Sequence, residues 1–186
     1  MSEETFARLV SLACHDLRTP LATVGGFAKT LVRSGELDER QGRFVQIMDE
    51  ASGQMAEMLD LLSLAARIQA DRYEPTLAPA DTLELATTDD ERVTAAGDGT
   101  SVETDGDIAA RSLRALAIAA VRHGAVEHVG WTVAGRTLTL APLVPAAAPV
   151  VTGAEPKDLG ALVAGMALAR LGVTVAVEGE TLVVAF

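Results

Sequence analysis

Cys14-His15-Asp16-Leu17-Arg18-Thr19-Pro20-Leu21 is the stretch on which the fold and chemistry of this 186-residue chain turn. Apolar helical pattern surrounds it on both sides. On a helix, Asp16 stands about 100° round the axis from His15 and Thr19 stands on nearly the same face. An imidazole becomes a nucleophile when one nitrogen holds its proton against a carboxylate and the other keeps a free lone pair. Asp16 can supply that carboxylate, and Thr19 can orient a water or a phosphoryl oxygen beside it. Pro20 has no N–H for the Asp16 carbonyl and crowds it, so a bend or loosening is expected just past His15. Cys14, the lone cysteine, reads as a small buried apolar residue; no intrachain disulfide can form, which suits a reducing compartment.

Outward from the octet, Phe6, Leu9, Ala13, Leu17, Pro20, Val24, Phe27 and Leu31 recur at steps of three and four. This spacing predicts one helix from Met1 to about Arg33, with Ser2 as its N-cap. Gly25-Gly26 reads as a place of close approach to a neighbouring helix. Ser34-Gly35 stops the helix. Asp38, with Gln41 three residues on, is a capping box that starts a second helix reaching about Ala70. Its stripe is Phe44, Ile47, Met48, Ala51, Met55, Met58, Leu62, Ala65 and Ile68. The connection is short, so the helices are antiparallel neighbours. A lone hairpin cannot bury such stripes; two copies can, as a four-helix bundle, and a homodimer is expected.

Aromatic residues are only 3%, so Leu, Val and Ala must fill the core. The formal net charge of −11 argues against binding nucleic acid, which needs a surplus of Lys and Arg, and against docking on an acidic membrane. No apolar run of membrane-spanning length occurs and no signal peptide opens the chain, so a cytoplasmic protein without membrane insertion is expected.

Residues 71–80, with Pro75 and Pro79, read as a linker. From Asp81 the pattern becomes α+β. A short helix from Asp81 to Ala86 precedes strands Arg92–Ala95 and Ser101–Glu103, set around a Gly97-Asp98-Gly99 turn. A helix spans Asp107 to His123. A hairpin joins Val129–Val133 to Thr137–Leu140. Pro142–Pro156 is a loop, Leu159–Leu171 a helix, and Val173–Val177 with Thr181–Phe186 a closing hairpin. His128 has no partner at metal-ligand spacing. The organisation is thus a helical-hairpin domain over 1–70, a linker over 71–80 and a small α/β domain over 81–186.

His15-Asp16-Leu17-Arg18-Thr19-Pro20-Leu21 resembles the H-box of the sensor histidine kinases of two-component signalling at all seven positions. The resemblance implies that His15 is the phosphoacceptor, that Asp16 assists phosphorylation, and that Thr19 is the position used to hydrolyse the phosphoryl group on a response-regulator receiver domain. Residues 2–70 cover that family's dimerisation and phosphotransfer module. The order of elements after residue 80 is similar to the family's ATP-binding domain, and Leu113–His123 can be laid on its N-box helix without gaps. The two N-box asparagines then fall on Ala115 and Ala119, and a methyl group cannot hold Mg²⁺, which takes oxygen ligands. Ala141-Pro142-Leu143-Val144-Pro145 stands where the Asp and Gly of the first glycine box are expected. The second glycine box is reduced to Leu159-Gly160-Ala161. Arg122 and His123 lie near where phosphates would be and read as a helix C-terminal turn.

The first reading is therefore a dimeric histidine phosphotransfer protein. It exchanges a phosphoryl group between His15 and a receiver aspartate, with Arg18 meeting the receiver's phosphoryl group or acidic pocket. It holds no cofactor of its own: Mg²⁺ belongs to the receiver, and the altered boxes speak against ATP binding and ATP-dependent autophosphorylation. Some phosphorelay proteins similarly pair a kinase-like bundle with a degenerate ATP domain. Two alternatives stay open: a sensor histidine kinase with a divergent ATP site, and a non-enzymatic dimeric regulator that docks a receiver or a kinase.

Overall fold

A computed structural model of the chain describes residues 3–35 and 37–186. They divide into two compact units, one ending at Tyr73 and one starting at Glu74. The fold is a helical hairpin followed by a small α/β unit. The Ser2 cap expected from the sequence lies outside the described residues.

In the first unit α1 spans Glu3–Ser34 and α2 spans Glu39–Gln69. Gly35, at φ +68°, ends α1 in a conformation that favours glycine. Asp38 then caps α2. Its carboxylate accepts from the Gln41 N–H at 2.8 Å, and its own N–H donates to Gln41 Oε1 at 3.1 Å. Arg18 faces Asp60, Gly25 faces Ser52 and Lys29 faces Asp49, so the helices run antiparallel.

The seam between them keeps a seven-residue register and is built mostly of small residues. Ala7, Cys14 and Ala28 are buried on α1, with Leu21 half-buried between them; Val45, Ser52, Leu59 and Ala66 are buried on α2. Cys14 is thus a buried apolar residue, as its sequence reading held. A Cβ on Gly25 would stand 3.5 Å from that of Ser52, so Gly25 does mark close approach; Gly26 faces open space. The larger apolar residues of the sequence stripes lie elsewhere. Leu17, Val24 and Leu31 stand three positions after seam residues on α1, as do Met48, Met55 and Leu62 on α2, and all are exposed. A three-residue offset turns a helix 60° from its seam, and in an antiparallel pair it turns both helices to the same side. The hairpin thus has an apolar flank beside its seam, and Phe27, at 68% exposure, extends it.

In the second unit β1 is Ala78–Asp81, α3 Thr82–Ala86, β2 Val93–Asp98 and β3 Ser101–Thr104. Then come α4 (Gly106–Gly124), β4 (Val129–Ala134), β5 (Thr137–Ala141) and α5 (Ala148–Val151), followed by α6 (Leu159–Arg170), β6 (Thr174–Glu178) and β7 (Thr181–Ala185). Five strands form one sheet in the order β2-β4-β5-β7-β6, and β1 pairs only with β3. Val129, Trp131, Val133, Leu138, Leu140, Leu182 and Val184 alternate onto the inner face and pack under α4 and α6. Leu113, Leu116, Ala117 and Ala120 of α4 and Ala164 and Leu168 of α6 complete this core.

Three expectations change. The strands around Gly97-Asp98-Gly99 are not a hairpin: β2 runs parallel to β4 and β3 runs antiparallel to β1. A parallel neighbour needs a crossover, which α4 supplies. At Gly97, φ +125°, a Cβ would fall on the Val133 carbonyl, so glycine keeps β2 against β4 where a turn was expected. The stretch read as a linker ends in strand β1, with Pro79 opposite Glu103; proline is tolerated in an edge strand that lacks one neighbour. The 142–156 loop contains α5, and Leu143, Ala147, Val150 and Val151 from it are buried.

Candidate functional site

His15 sits mid-helix on α1, one position after seam residue Cys14. Its Nδ1 is 3.1 Å from Asp16 Oδ1, and the two side chains are 79% and 69% exposed. In the neutral ring this contact places the proton on Nδ1, donated to the carboxylate, and leaves the Nε2 lone pair facing solvent. Thr19, one turn on, is exposed, and its carbonyl accepts the Thr23 hydroxyl at 3.0 Å. Helix α1 continues through Pro20.

Arg18 does not stand free. Its Nη2 donates to Asp60 Oδ1 of α2 at 2.7 Å. Asp60 follows seam residue Leu59, just as His15 follows Cys14, so both lie on the flank opposite the apolar one. A groove of about 470 Å³ opens on this flank. Its floor is Ala22, Gly25, Gly26, Gly53 and Ala56, and the Arg18–Asp60 and Lys29–Asp49 pairs close its two ends. Asp60 and this groove escaped the sequence reading. Their one sequence signal is the run of Gly and Ala at positions one and four after the seam.

In the second unit, Ala119 is fully buried and Ala115 packs against the same core. A Cβ on Gly160 would lie 3.6 Å from that of Ala115. Asp158, 7% exposed, caps α6 by accepting from the Ala161 N–H at 3.0 Å. Its other oxygen accepts from Arg122 Nη1 at 2.8 Å and lies 3.2 Å from His123 Nε2. Arg122 and His123 are therefore held by an internal carboxylate as well as by their place at a helix end. Burial alone would raise the Asp158 pKa, but the Ala161 amide, His123 and Arg122 outweigh it and hold the group below its ordinary value.

A depressed folded-state pKa adds stability that is complete above the unfolded value, near 3.9, and is lost as pH falls through the folded one. Asp158→Asn should lower stability by roughly 1–2 kcal/mol at pH 7. Thermal melts across pH 3 to 7 should show the gap closing below about pH 4; a gap independent of pH would mean the charge contributes nothing.

Among the described residues there is no cluster suited to hold a metal ion, and no helix is long and apolar enough to cross a membrane.

With this geometry in place, the likeness to known proteins has a physical reading. Residues 7–71 match the His Kinase A (phospho-acceptor) domain, which spans the hairpin and includes His15. The phosphate regulon sensor protein PhoR of Pseudomonas aeruginosa is 30% identical over 99 residues, 52% of this chain and 22% of PhoR. The whole-chain fold resembles full-length ShkA, solved in complex with AMPPNP, with TM-score 0.68 and 20% identity over 95% of this chain and 44% of ShkA. It also resembles the histidine kinase AdeS of Acinetobacter baumannii, with TM-score 0.52 and 17% identity over 91% of this chain and 94% of that one. The chain thus spans about a fifth of PhoR and under half of ShkA. Residues 7–71 are a phospho-acceptor domain of the His Kinase A type, the domain that carries the phosphorylated histidine of two-component histidine kinases.

Proposed function

We propose that the chain is a dimeric histidine phosphotransfer protein that exchanges a phosphoryl group between His15 and an aspartate of a receiver domain. The observation that carries this is the exposed imidazole with Nδ1 held at 3.1 Å by Asp16. Nε2 attacks phosphorus, the receiver's P–O bond breaks, and the carboxylate leaves with the electron pair. The positive charge gained by the ring is held at Nδ1–H against Asp16. The reverse transfer discharges the protein. Thr19, exposed one turn on from His15, orients a water for hydrolysis on the receiver. The groove on the His15 flank is the receiver's docking surface, with Arg18 at its rim, and the apolar flank takes a second copy of the chain.

Mg²⁺ comes with the receiver. In the second unit Ala115 and Ala119 offer methyl groups where oxygen ligands would be needed, and Asp158 occupies Arg122 and His123. These features support charging from a receiver without ATP, in the cytoplasm where receivers work. The test is to offer the purified dimer γ-labelled ATP with Mg²⁺ and, separately, a phosphorylated receiver. Acid-labile label should come from the receiver alone. Label from ATP would instead make the chain a kinase with a divergent nucleotide site.

A further inference from the structure

We propose that Asp60 is a positioning residue that holds Arg18 until a phosphoryl group reaches His15, and that Arg18 then leaves Asp60 for the phosphoryl oxygens. The inference rests on the phosphoryl-carrier reading above. Arg18 lies three residues from His15, so the two side chains are neighbours on one helix face. Its guanidinium is bonded across the hairpin to Asp60 at 2.7 Å, yet the two side chains are 43% and 60% exposed. An ion pair this wet is weak and exchangeable. A phosphoryl group on Nε2 brings close to two negative charges and enough oxygens to take both prongs of the guanidinium fork, where Asp60 is bonded to one. Arg18 therefore has two competing anions, one resident and one arriving.

Two routes from Asp60 to the reaction are distinguishable. One is its hold on Arg18 at the rim of the groove, which is the route proposed; the other is repulsion of the incoming group by its own charge. Only the first runs through Arg18, so a double-mutant cycle tells the two apart. The probe is potassium phosphoramidate, which needs no partner protein. Nε2 attacks its phosphorus, the P–N bond breaks, and ammonia leaves. The rate of His15 phosphorylation is followed by ³¹P NMR in wild type, Asp60→Asn, Arg18→Ala and the double variant, with circular dichroism and sedimentation confirming a folded protein in each.

Asp60→Asn should speed phosphorylation about threefold and Arg18→Ala should slow it by a similar factor, within the roughly fivefold an exposed ion pair commands. In the Arg18→Ala background, Asp60→Asn should change nothing. Equal acceleration in both backgrounds would show bulk charge repulsion and overturn the proposal, as would no acceleration in either. A wild type that takes up no phosphoryl group at His15 would defeat the carrier reading and this proposal with it.

Discussion

His15→Gln takes up no phosphoryl group from a phosphorylated receiver, with transfer below about one-thousandth of wild type, since glutamine has no nucleophilic nitrogen. The fold should not notice. The imidazole is 79% exposed and pairs with Asp16, itself 69% exposed, so the melting curve should match wild type to within about 0.5 kcal/mol. Asp16→Asn provides the graded case. Its amide can still meet the ring, yet no longer fixes the Nδ1 proton or shares the charge that forms there. A loss of about 10²-fold in transfer rate is expected, the lower end of what a positioned acid–base partner contributes. Rapid-quench transfer assays measure both. Full activity in His15→Gln would move the chemistry to another residue and leave the octet without a role.

The second large effect concerns the apolar flank. Val24 and Met55 are 51% and 48% exposed on a lone hairpin, in a row with Leu17, Leu31, Met48 and Leu62. A patch of this kind on a soluble protein marks an interface. Replacing both Val24 and Met55 by Glu would place four carboxylates inside the proposed bundle, two per copy. Uncompensated buried charge costs about 3–5 kcal/mol at each site, more than a small helical bundle has to spare. Sedimentation should report a monomer, and helical ellipticity should fall sharply at micromolar concentration. A variant that sedimented as wild type does and kept its helicity would show that the second copy binds elsewhere.

What the sequence makes legible follows from the range of each interaction. The His15–Asp16 contact joins adjacent residues, and the Asp38–Gln41 box joins residues one turn apart; both can be read from the chain by eye. Helix α4 and the two hairpins of the second unit are equally local. Long-range partners leave no such mark. Arg18 and Asp60 are 42 residues apart, and Arg122 and Asp158 are 36 apart. The parallel pairing of β2 with β4 depends on a crossover, so Gly97 inside β2 and Gly99 just after it read as an ordinary turn. Apolar periodicity also misleads in one respect. It picks out the largest side chains, while five of the eight seam positions of this hairpin are Ala7, Cys14, Ala28, Ser52 and Ala66, too small to dominate a pattern or to draw Leu21, Val45 and Leu59 into one.

The two flanks divide the hairpin's loyalties. One side holds what a copy of this chain would need to recognise another copy; the other holds the histidine and the groove that a foreign protein would meet. Because a three-residue step leads to one and a four-residue step to the other, a single substitution falls on one side only. A duplicated gene can therefore change its correspondents while still pairing with its parent, or cease to pair while keeping the same correspondents. Insulation between sister signalling lines, on this backbone, is a matter of which side of a seven-residue register a mutation lands on.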